Sequence, residues 1–355
     1  MSSQPLPLVG AAGSPYSRKL RAVLRYRRAP YVWIQQGSPE SASLPKPKVQ
    51  LLPQLIMKGV DGQRVARTDT TPLIRELEEL VSNERSVIPN DPALALLDAL
   101  IEDYADEWLT KAMFHYRWAF EADIAKAAAI LPRGSASQKS DEFLAQAGKA
   151  FSKRQIDRLW VVGSNETTAP IIEESYLRFL ERFEDHLRSH RFVLGERPGS
   201  CDFGLYGQLT QLALFDPTAM QTTLRAAPRV YAWTELVEDL SGLEPQADQW
   251  ITREAIPETL RVLLIEIGRV YPPFLLGNAA ALEAGKDRVE CVIDGRTWSQ
   301  KPFPYQGKCL QWLRRDYAAL EEADRLFVDQ TLQGTGLENL FVQPVLSARS
   351  DRVPA

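Results

Sequence analysis

The sequence predicts a small α/β domain, then an all-α region, then a C-terminal extension made of a helix, a β-hairpin and a helix. Three observations support this fold class. Strand and helix patterns alternate over residues 6–82, helical spacing dominates over 91–245, and an isolated hairpin pattern lies within 246–340. We take these three ranges as the predicted domains.

The first range follows the order β-α-β, an irregular stretch, and β-β-α. After an initial apolar strand, the first helix starts at Ser14, which is followed by proline, and both residue types favour a helix start. The aromatic and β-branched segment YVWIQ predicts a strand. Two further strand-like runs meet at Asp61-Gly62, a strong hairpin signal. The segment TDTTPLIRELEELV predicts the closing helix.

Helical patterns fill the second range. Apolar residues recur at helical spacing over roughly 30 positions from Asp91, without a glycine, which predicts one long helix. The polar stretch 131–143 is predicted as a loop before a short helix. In the extension we predict a helix over 252–271, a hairpin that turns at Asp294-Gly295, and one last helix over 305–332.

Composition excludes several classes of protein. The net charge of -4 gives no general attraction to nucleic acid or to an anionic membrane. No apolar run approaches the roughly 20 residues that span a bilayer, and the first residues lack the pattern of a secretory signal. Three widely spaced cysteines and three scattered histidines argue against a disulfide framework and a metal site. We therefore expect a cytoplasmic protein without a metal.

Four stretches, in this order, resemble the glutathione transferase superfamily: SPYSRKLR, LLPQL, RTDTTPLIREL and FVLGERPGSCDFGLYGQL. The resemblance spans roughly residues 6–245 and implies a thioredoxin-like domain followed by a helical domain. It also implies glutathione as co-substrate, a small hydrophobic electrophile and a homodimer. The extension matches nothing in the common core of that family.

Ser14 allows two interpretations. The local one is a helix N-cap, which needs no chemistry. The resemblance instead places Ser14 where the family keeps its sulfur-facing residue, so that its hydroxyl would stabilise the glutathione thiolate, with Ser17 or Tyr16 as weaker candidates. A hydroxyl cannot form a mixed disulfide, which favours addition or substitution on an electrophile over thiol-disulfide exchange.

Five other residues are predicted to hold glutathione. Pro53 is either a trans proline in an edge strand or a cis proline that turns the backbone of Leu52 toward the ligand. Asp69 and Thr70 are either helix caps or, as the resemblance implies, the partners of the γ-glutamyl ammonium and carboxylate. Lys48 could reach the glycine carboxylate or be a solvated linker charge.

The substrate pocket is predicted on the first long helix, together with Tyr16. Tyr104, Trp108, Lys111 and His115 follow one another at helical steps, and the resemblance puts this helix beside the electrophile. The alternative is an ordinary core stripe with polar ends.

Three other features leave alternatives open. The basic run SRKLRAVLRYRR is interpreted as a solvated helix face rather than a nucleic-acid site. Gly199 stands where the family commonly has a serine or threonine cap before Asp202, which can still bond to the backbone. The extension could cover the active cleft, bind a partner or extend the core.

The sequence therefore predicts a glutathione transferase-like enzyme, with lyase or isomerase variants of the chemistry included. The alternative is a non-catalytic protein of the same fold that binds a protein or a ligand, since a fold does not determine function.

Overall fold

The computed structural model of the protein describes residues 4–81 and 83–342. Its first domain contains a four-stranded sheet of order β2-β1-β3-β4, in which β1 and β2 are parallel and the other pairs are antiparallel. The elements are β1 Leu6–Gly10, α1 Pro15–Tyr26, β2 Tyr31–Gln35, α2 Pro39–Ala42, β3 Gln54–Lys58, β4 Arg64–Arg67 and α3 Thr70–Leu80. This order confirms the predicted α/β unit, and the irregular stretch contains only one short helix.

A helical region follows the sheet domain. Its helices are α4 Pro92–Tyr104, α5 Thr110–Ala119, α6 Glu121–Ile130, α7 Arg133–Ala136, α8 Asp141–Ile156, α9 Ala169–His186, α10 Ser200–Leu212, α11 Pro217–Ala226 and α12 Pro228–Val237. The predicted long helix is present as α4 and α5, joined by a π-helical turn at Ala105–Leu109. The loop expected over 131–143 is wrong, because α7 and the start of α8 occupy it.

The extension has more helix than predicted. It contains α13 Glu258–Glu283, the hairpin strands β5 Val289–Ile293 and β6 Arg296–Gln300, α14 Pro304–Ala319 and α15 Glu322–Leu332. Helix α13 continues through Pro272 and Pro273, where a helix was expected to end. Buried apolar residues on both sides of the prolines, such as Tyr271 and Phe274, show that packing keeps the helix continuous. The predicted last helix is two helices that separate at Leu320.

The basic run on α1 is not a solvated face. Arg18, Arg21 and Arg25 all contact the carboxylate of Glu238, at 3.1, 2.6 and 2.6 Å. On another face of the helix, the fully buried Lys19 pairs with acidic residues of the long helix. The run therefore joins the sheet domain to the helical region, and the earlier interpretation is corrected.

The helix cap at Gly199 has a packing explanation. The Asp202 carboxylate accepts the Gly199 amide at 2.8 Å, as expected. The side chain of Asp98, from α4, accepts the Cys201 amide at 3.0 Å and the Ser200 hydroxyl. A Cβ atom at position 199 would lie 2.3 Å from the Asp98 carboxylate. Glycine therefore fits here without displacing the Asp98 carboxylate, and this neighbouring helix supplies the cap that the family takes from a side chain.

Candidate functional site

Three candidate segments meet at one end of the four-stranded sheet. Leu8 pairs with Leu55 in β1–β3, and Leu55 pairs with Arg67 in β3–β4. Continuing these registers beyond the strands puts the start of the β1–α1 loop opposite Leu52, and Pro53 opposite Asp69. The sheet thus gathers residues that are far apart in sequence. The Leu52–Pro53 bond is cis, as the functional interpretation of Pro53 predicts.

A cavity of about 670 Å³ opens at this end of the sheet. Ser14 and Leu52 line it, and we call this part of the candidate site the Ser14 end. Apolar side chains from the helical region form much of the opposite wall: Ile130, Leu131, Pro132, Ala147, Phe151 and Phe215. Polar side chains on the wall, besides Ser14, are Arg18, Gln35, Gln36, Ser135, Thr210 and Gln211. Its volume and mixed lining are those of a small-molecule pocket.

The Ser14 hydroxyl both caps a helix and remains able to donate. Its oxygen accepts the backbone amide of Ser17 at 3.3 Å, at the N-terminus of α1. A serine hydroxyl carries one hydrogen and two lone pairs, so this contact leaves the hydrogen free. The two interpretations of Ser14 are therefore compatible. The helix N-terminus adds positive potential at the same place.

The two alternative donors are placed away from the cavity wall. Ser17 is fully buried, and its hydroxyl oxygen accepts the amide of Ala11 at 3.4 Å. The Tyr16 hydroxyl donates to the backbone oxygen of Asp106 at 2.7 Å. Burial, with the nearby Glu107 and Asp106, raises the pKa of Tyr16 well above its usual value. Among the predicted candidates, Ser14 alone lines the cavity as a hydroxyl donor.

Asp69 and Thr70 form the second part of the site, which we call the Asp69 end. Asp69 precedes α3, has a φ of 79° and makes no side-chain capping hydrogen bond. Positive φ is uncommon for a residue other than glycine and is enriched at functional sites. Thr70 is buried at the helix start, where free backbone amides suit a carboxylate. Lys48 is exposed in the irregular stretch.

The four predicted pocket residues of the long helix face the core instead. Tyr104 is fully buried, and the Trp108 indole donates to Ser175 at 3.1 Å. Lys111 donates to the Gln300 side chain at 2.9 Å, and burial lowers its pKa to about 7.

His115 contacts Ser164 at 2.8 Å and Glu173 at 3.2 Å. None of the four lines the cavity, because the extension and α9 cover this face of the helix. Their positions agree with the alternative interpretation, an ordinary core stripe with polar ends. Their assignment to a substrate pocket is therefore corrected.

An acidic cluster that the sequence analysis missed lies on another face of the same helix. It consists of Glu102, Asp103, Asp106 and Glu107, of which Asp103 is half-buried and the other three are buried. Thr71, beside the Asp69 end, donates to Asp106 at 3.4 Å. In the sequence, the signal for this cluster is the presence of four acidic residues within six positions of a helix whose apolar spacing predicts burial.

Only part of the acidic cluster is neutralised by cations. Lys19 lies 2.7 Å from Glu102 and 2.5 Å from Asp106, and Arg75 lies 2.5 Å from Glu102. Although burial opposes ionisation, Arg75 and Lys19 hold the pKa of Glu102 at about 2. Burial raises the pKa of Asp103 to about 7, despite hydrogen bonds from Tyr271 and Cys309.

Among the described residues, no group of three or more histidine, cysteine or acidic side chains is arranged to hold a metal ion. Within the same part of the chain, no helix is both long and apolar enough to cross a membrane.

Comparison with known families decides the classification. Residues 8–85 match the family model of the glutathione S-transferase N-terminal domain, and residues 141–236 match that of the C-terminal domain. The chain belongs to the glutathione transferase superfamily. The predicted fold class is confirmed, and the extension lies beyond both matched regions.

The solved structures that comparison finds share little sequence with this superfamily member. A glutathione S-transferase from Rhodospirillum rubrum F11 is 18% identical, with a TM-score of 0.41, over 70% of this chain and 97% of that one. A glutathione transferase family member from Pseudomonas fluorescens Pf-5, solved with two glutathione bound, is 14% identical, with a TM-score of 0.39, over 73% of this chain and 92% of that one. A Tau class glutathione S-transferase from mango is 19% identical, with a TM-score of 0.38, over 73% of this chain and 96% of that one. No curated protein matches the chain.

Proposed function

We propose that the protein is a glutathione transferase-like enzyme that joins the glutathione sulfur to an apolar electrophile. The observation that carries the proposal is Ser14, a hydroxyl with a free hydrogen at a helix N-terminus on the wall of a 670 Å³ cavity. Family membership supplies glutathione as the thiol. The backbone of Leu52 would pair with its cysteinyl unit, and the Asp69 end would bind its γ-glutamyl group.

The energetics of one hydrogen bond suffice for this role. A free thiol has a pKa of about 8.5, so it is mostly protonated at neutral pH. A hydrogen bond to a charged acceptor contributes about 1.5–3 kcal/mol, which corresponds to about one to two pKa units. The helix N-terminus adds to this effect. Ser14 would therefore keep most of the bound sulfur ionised near neutrality.

In the proposed reaction, the thiolate attacks an electrophilic carbon and a sulfur–carbon bond forms. In a substitution, the leaving group departs with its electron pair. In an addition, the electron pair moves onto the acceptor, which then takes a proton from solvent. The apolar wall of the cavity favours an electrophile with a hydrocarbon or aromatic body.

The test is calorimetric titration with glutathione, together with the ultraviolet absorbance of the bound thiolate. We expect wild type and Ser14→Ala to bind glutathione with similar affinity, and the alanine variant to lose the thiolate signal at pH 7. The matched control is Ser140→Ala, because Ser140 also caps a helix at 3.3 Å and does not line the cavity.

Other outcomes contradict the proposal. Binding of glutathione without a thiolate signal in wild type would favour the non-catalytic alternative. No binding at all would contradict the assignment of glutathione itself.

We also propose that the enzyme is a homodimer and acts in the cytoplasm. The superfamily resemblance supports the dimer, and the free thiols of Cys201, Cys291 and Cys309 are compatible with a reducing compartment. Light scattering should give twice the mass of the chain, and cell fractionation should recover the protein in the cytoplasm. A monomer mass or another compartment would contradict the respective proposal.

A further inference from the structure

The extension reaches the Asp69 end through one side chain. Tyr305, in the first turn of α14, donates its hydroxyl hydrogen to Oδ2 of Asp69 at 2.8 Å. The two residues are 236 positions apart in sequence. A residue outside both matched regions therefore contacts a predicted ligand-binding carboxylate.

Tyr305 is held in place from the backbone side. The fully buried Asn278 of α13 accepts the Phe303 amide at 2.8 Å and donates to the Phe303 carbonyl at 3.1 Å. This two-way contact fixes the chain just before α14. The Tyr305 ring packs edge-on against Trp312, with centroids 6.0 Å apart. A hydroxyl held in this way can orient its acceptor.

The contact leaves Asp69 able to bind a ligand. A carboxylate offers about four acceptor positions, and Tyr305 uses one of them on Oδ2. Asp69 makes no side-chain N-cap hydrogen bond, and the nearby Thr71 amide, which lowers the pKa of Asp69, would use at most one more of these positions. Burial raises the pKa of Asp69, whereas the hydrogen bond from Tyr305 lowers it and so favours the charged form. A charged, oriented carboxylate is what an ammonium group requires.

We propose that Tyr305 is a positioning residue of the glutathione site, which orients Asp69 so that Oδ1 receives the ammonium of the γ-glutamyl group. The proposal rests on the proposed function. It makes the extension part of the ligand site, because α14 must be docked for the carboxylate to be aligned.

The experiment compares two ligands on Tyr305→Phe. One is glutathione, and the other is its analogue that lacks the α-amino group of the γ-glutamyl unit. We expect the variant to bind glutathione about tenfold more weakly, since a hydrogen bond to a charged group is lost. The affinity for the analogue should change by less than about twofold. The matched control is Tyr317→Phe on the same helix, which removes an exposed hydroxyl that donates to Asp329 at the same 2.8 Å.

Each remaining outcome is decisive. Equal weakening for both ligands would mean a merely structural role and overturn the proposal. Tighter binding of glutathione by Tyr305→Phe would mean that the tyrosine competes with the ammonium, which also overturns it. If wild type binds no glutathione, the proposed function fails. If wild type binds and the variant shows no selective loss, only the role of Tyr305 fails.

A measurement on the wild-type protein covers the case in which Tyr305→Phe does not fold. We expect glutathione to slow amide hydrogen exchange over residues 304–312, and the analogue without the amino group to leave it unchanged. Equal slowing by both ligands, or by neither, would overturn the proposal.

Discussion

The Ser14 end and the Asp69 end of the candidate site differ in what covers them. The Ser14 end opens on a cavity whose opposite wall is largely apolar and comes from the helical region. The Asp69 end lies against the extension and beside a largely buried acidic cluster. The Ser14 end therefore has space for a variable substrate, whereas the Asp69 end has charged groups in fixed positions. The difference suggests that chemistry and recognition can be disrupted separately.

The largest expected effect is at the Asp69 end. Asp69→Asn keeps the shape of the side chain but removes the charge that we propose to face the ammonium, and losing one partner of a buried charge pair costs about 2–5 kcal/mol. We expect about 100-fold weaker glutathione binding by calorimetry, with the pKa of the bound thiol unchanged at saturation. Asp61→Asn is the matched control, because Asp61 is exposed in the β3–β4 hairpin. A raised thiol pKa in Asp69→Asn would mean that the two ends are not separable.

A second prediction concerns the acidic cluster. Burial raises the pKa of Asp103 to about 7, above its unfolded value of about 3.9. The folded protein then retains a proton that the unfolded chain releases, so stability is lost as pH rises through 4 to 7. We expect Asp103→Asn, which mimics the protonated form, to be about 2 kcal/mol less sensitive than wild type to a change from pH 5.5 to 8.

The measurement for Asp103 is urea unfolding at both pH values. The matched control is Asp157→Asn, since Asp157 is exposed at the end of α8. If Asp103→Asn and wild type lose the same stability between the two pH values, the carboxylate is already ionised at pH 5.5 in the folded protein.

The sequence predicts the sheet domain well because its signals are local. Ser14 followed by proline marks the start of α1, and Asp61-Gly62 marks the hairpin of β3 and β4. The order of these elements then brings Ser14, Leu52 and Asp69 to one end of the sheet. Local spacing sufficed because sheet register fixes which strand ends meet.

The contacts that the long helix and the extension make could not be predicted in the same way. The spacing of Tyr104 and Trp108 shows that they share a helix face, but not whether that face meets a cleft or the extension. Likewise, nothing near Tyr305 in the sequence indicates Asp69 as its partner. These contacts depend on how distant helices dock, which helical periodicity does not specify.

A smaller effect is expected from filling the cavity. Ala147, on α8, lines the wall opposite Ser14, so Ala147→Trp should occupy space needed by a bulky electrophile. We expect about a tenfold higher KM for such an electrophile, because a bulky side chain crowds a packed pocket at a cost of about 1–3 kcal/mol. Glutathione affinity should be unchanged. The exposed Ala150→Trp on the same helix is the control, and unchanged kinetics in Ala147→Trp would place the electrophile elsewhere.

The smallest effect tests whether the Ser14 end depends on how α1 is docked. Glu238 accepts three arginines of that helix, yet about a third of its side chain is exposed, so screening limits the contribution. We expect Glu238→Gln to lower the free energy of unfolding by about 1 kcal/mol and to leave the thiolate signal intact. Glu235→Gln, exposed on α12, should change neither quantity. Loss of the thiolate signal in Glu238→Gln would mean that α1 positions Ser14 only while this ion cluster holds it, and the Ser14 end would then be as dependent on distant contacts as the Asp69 end.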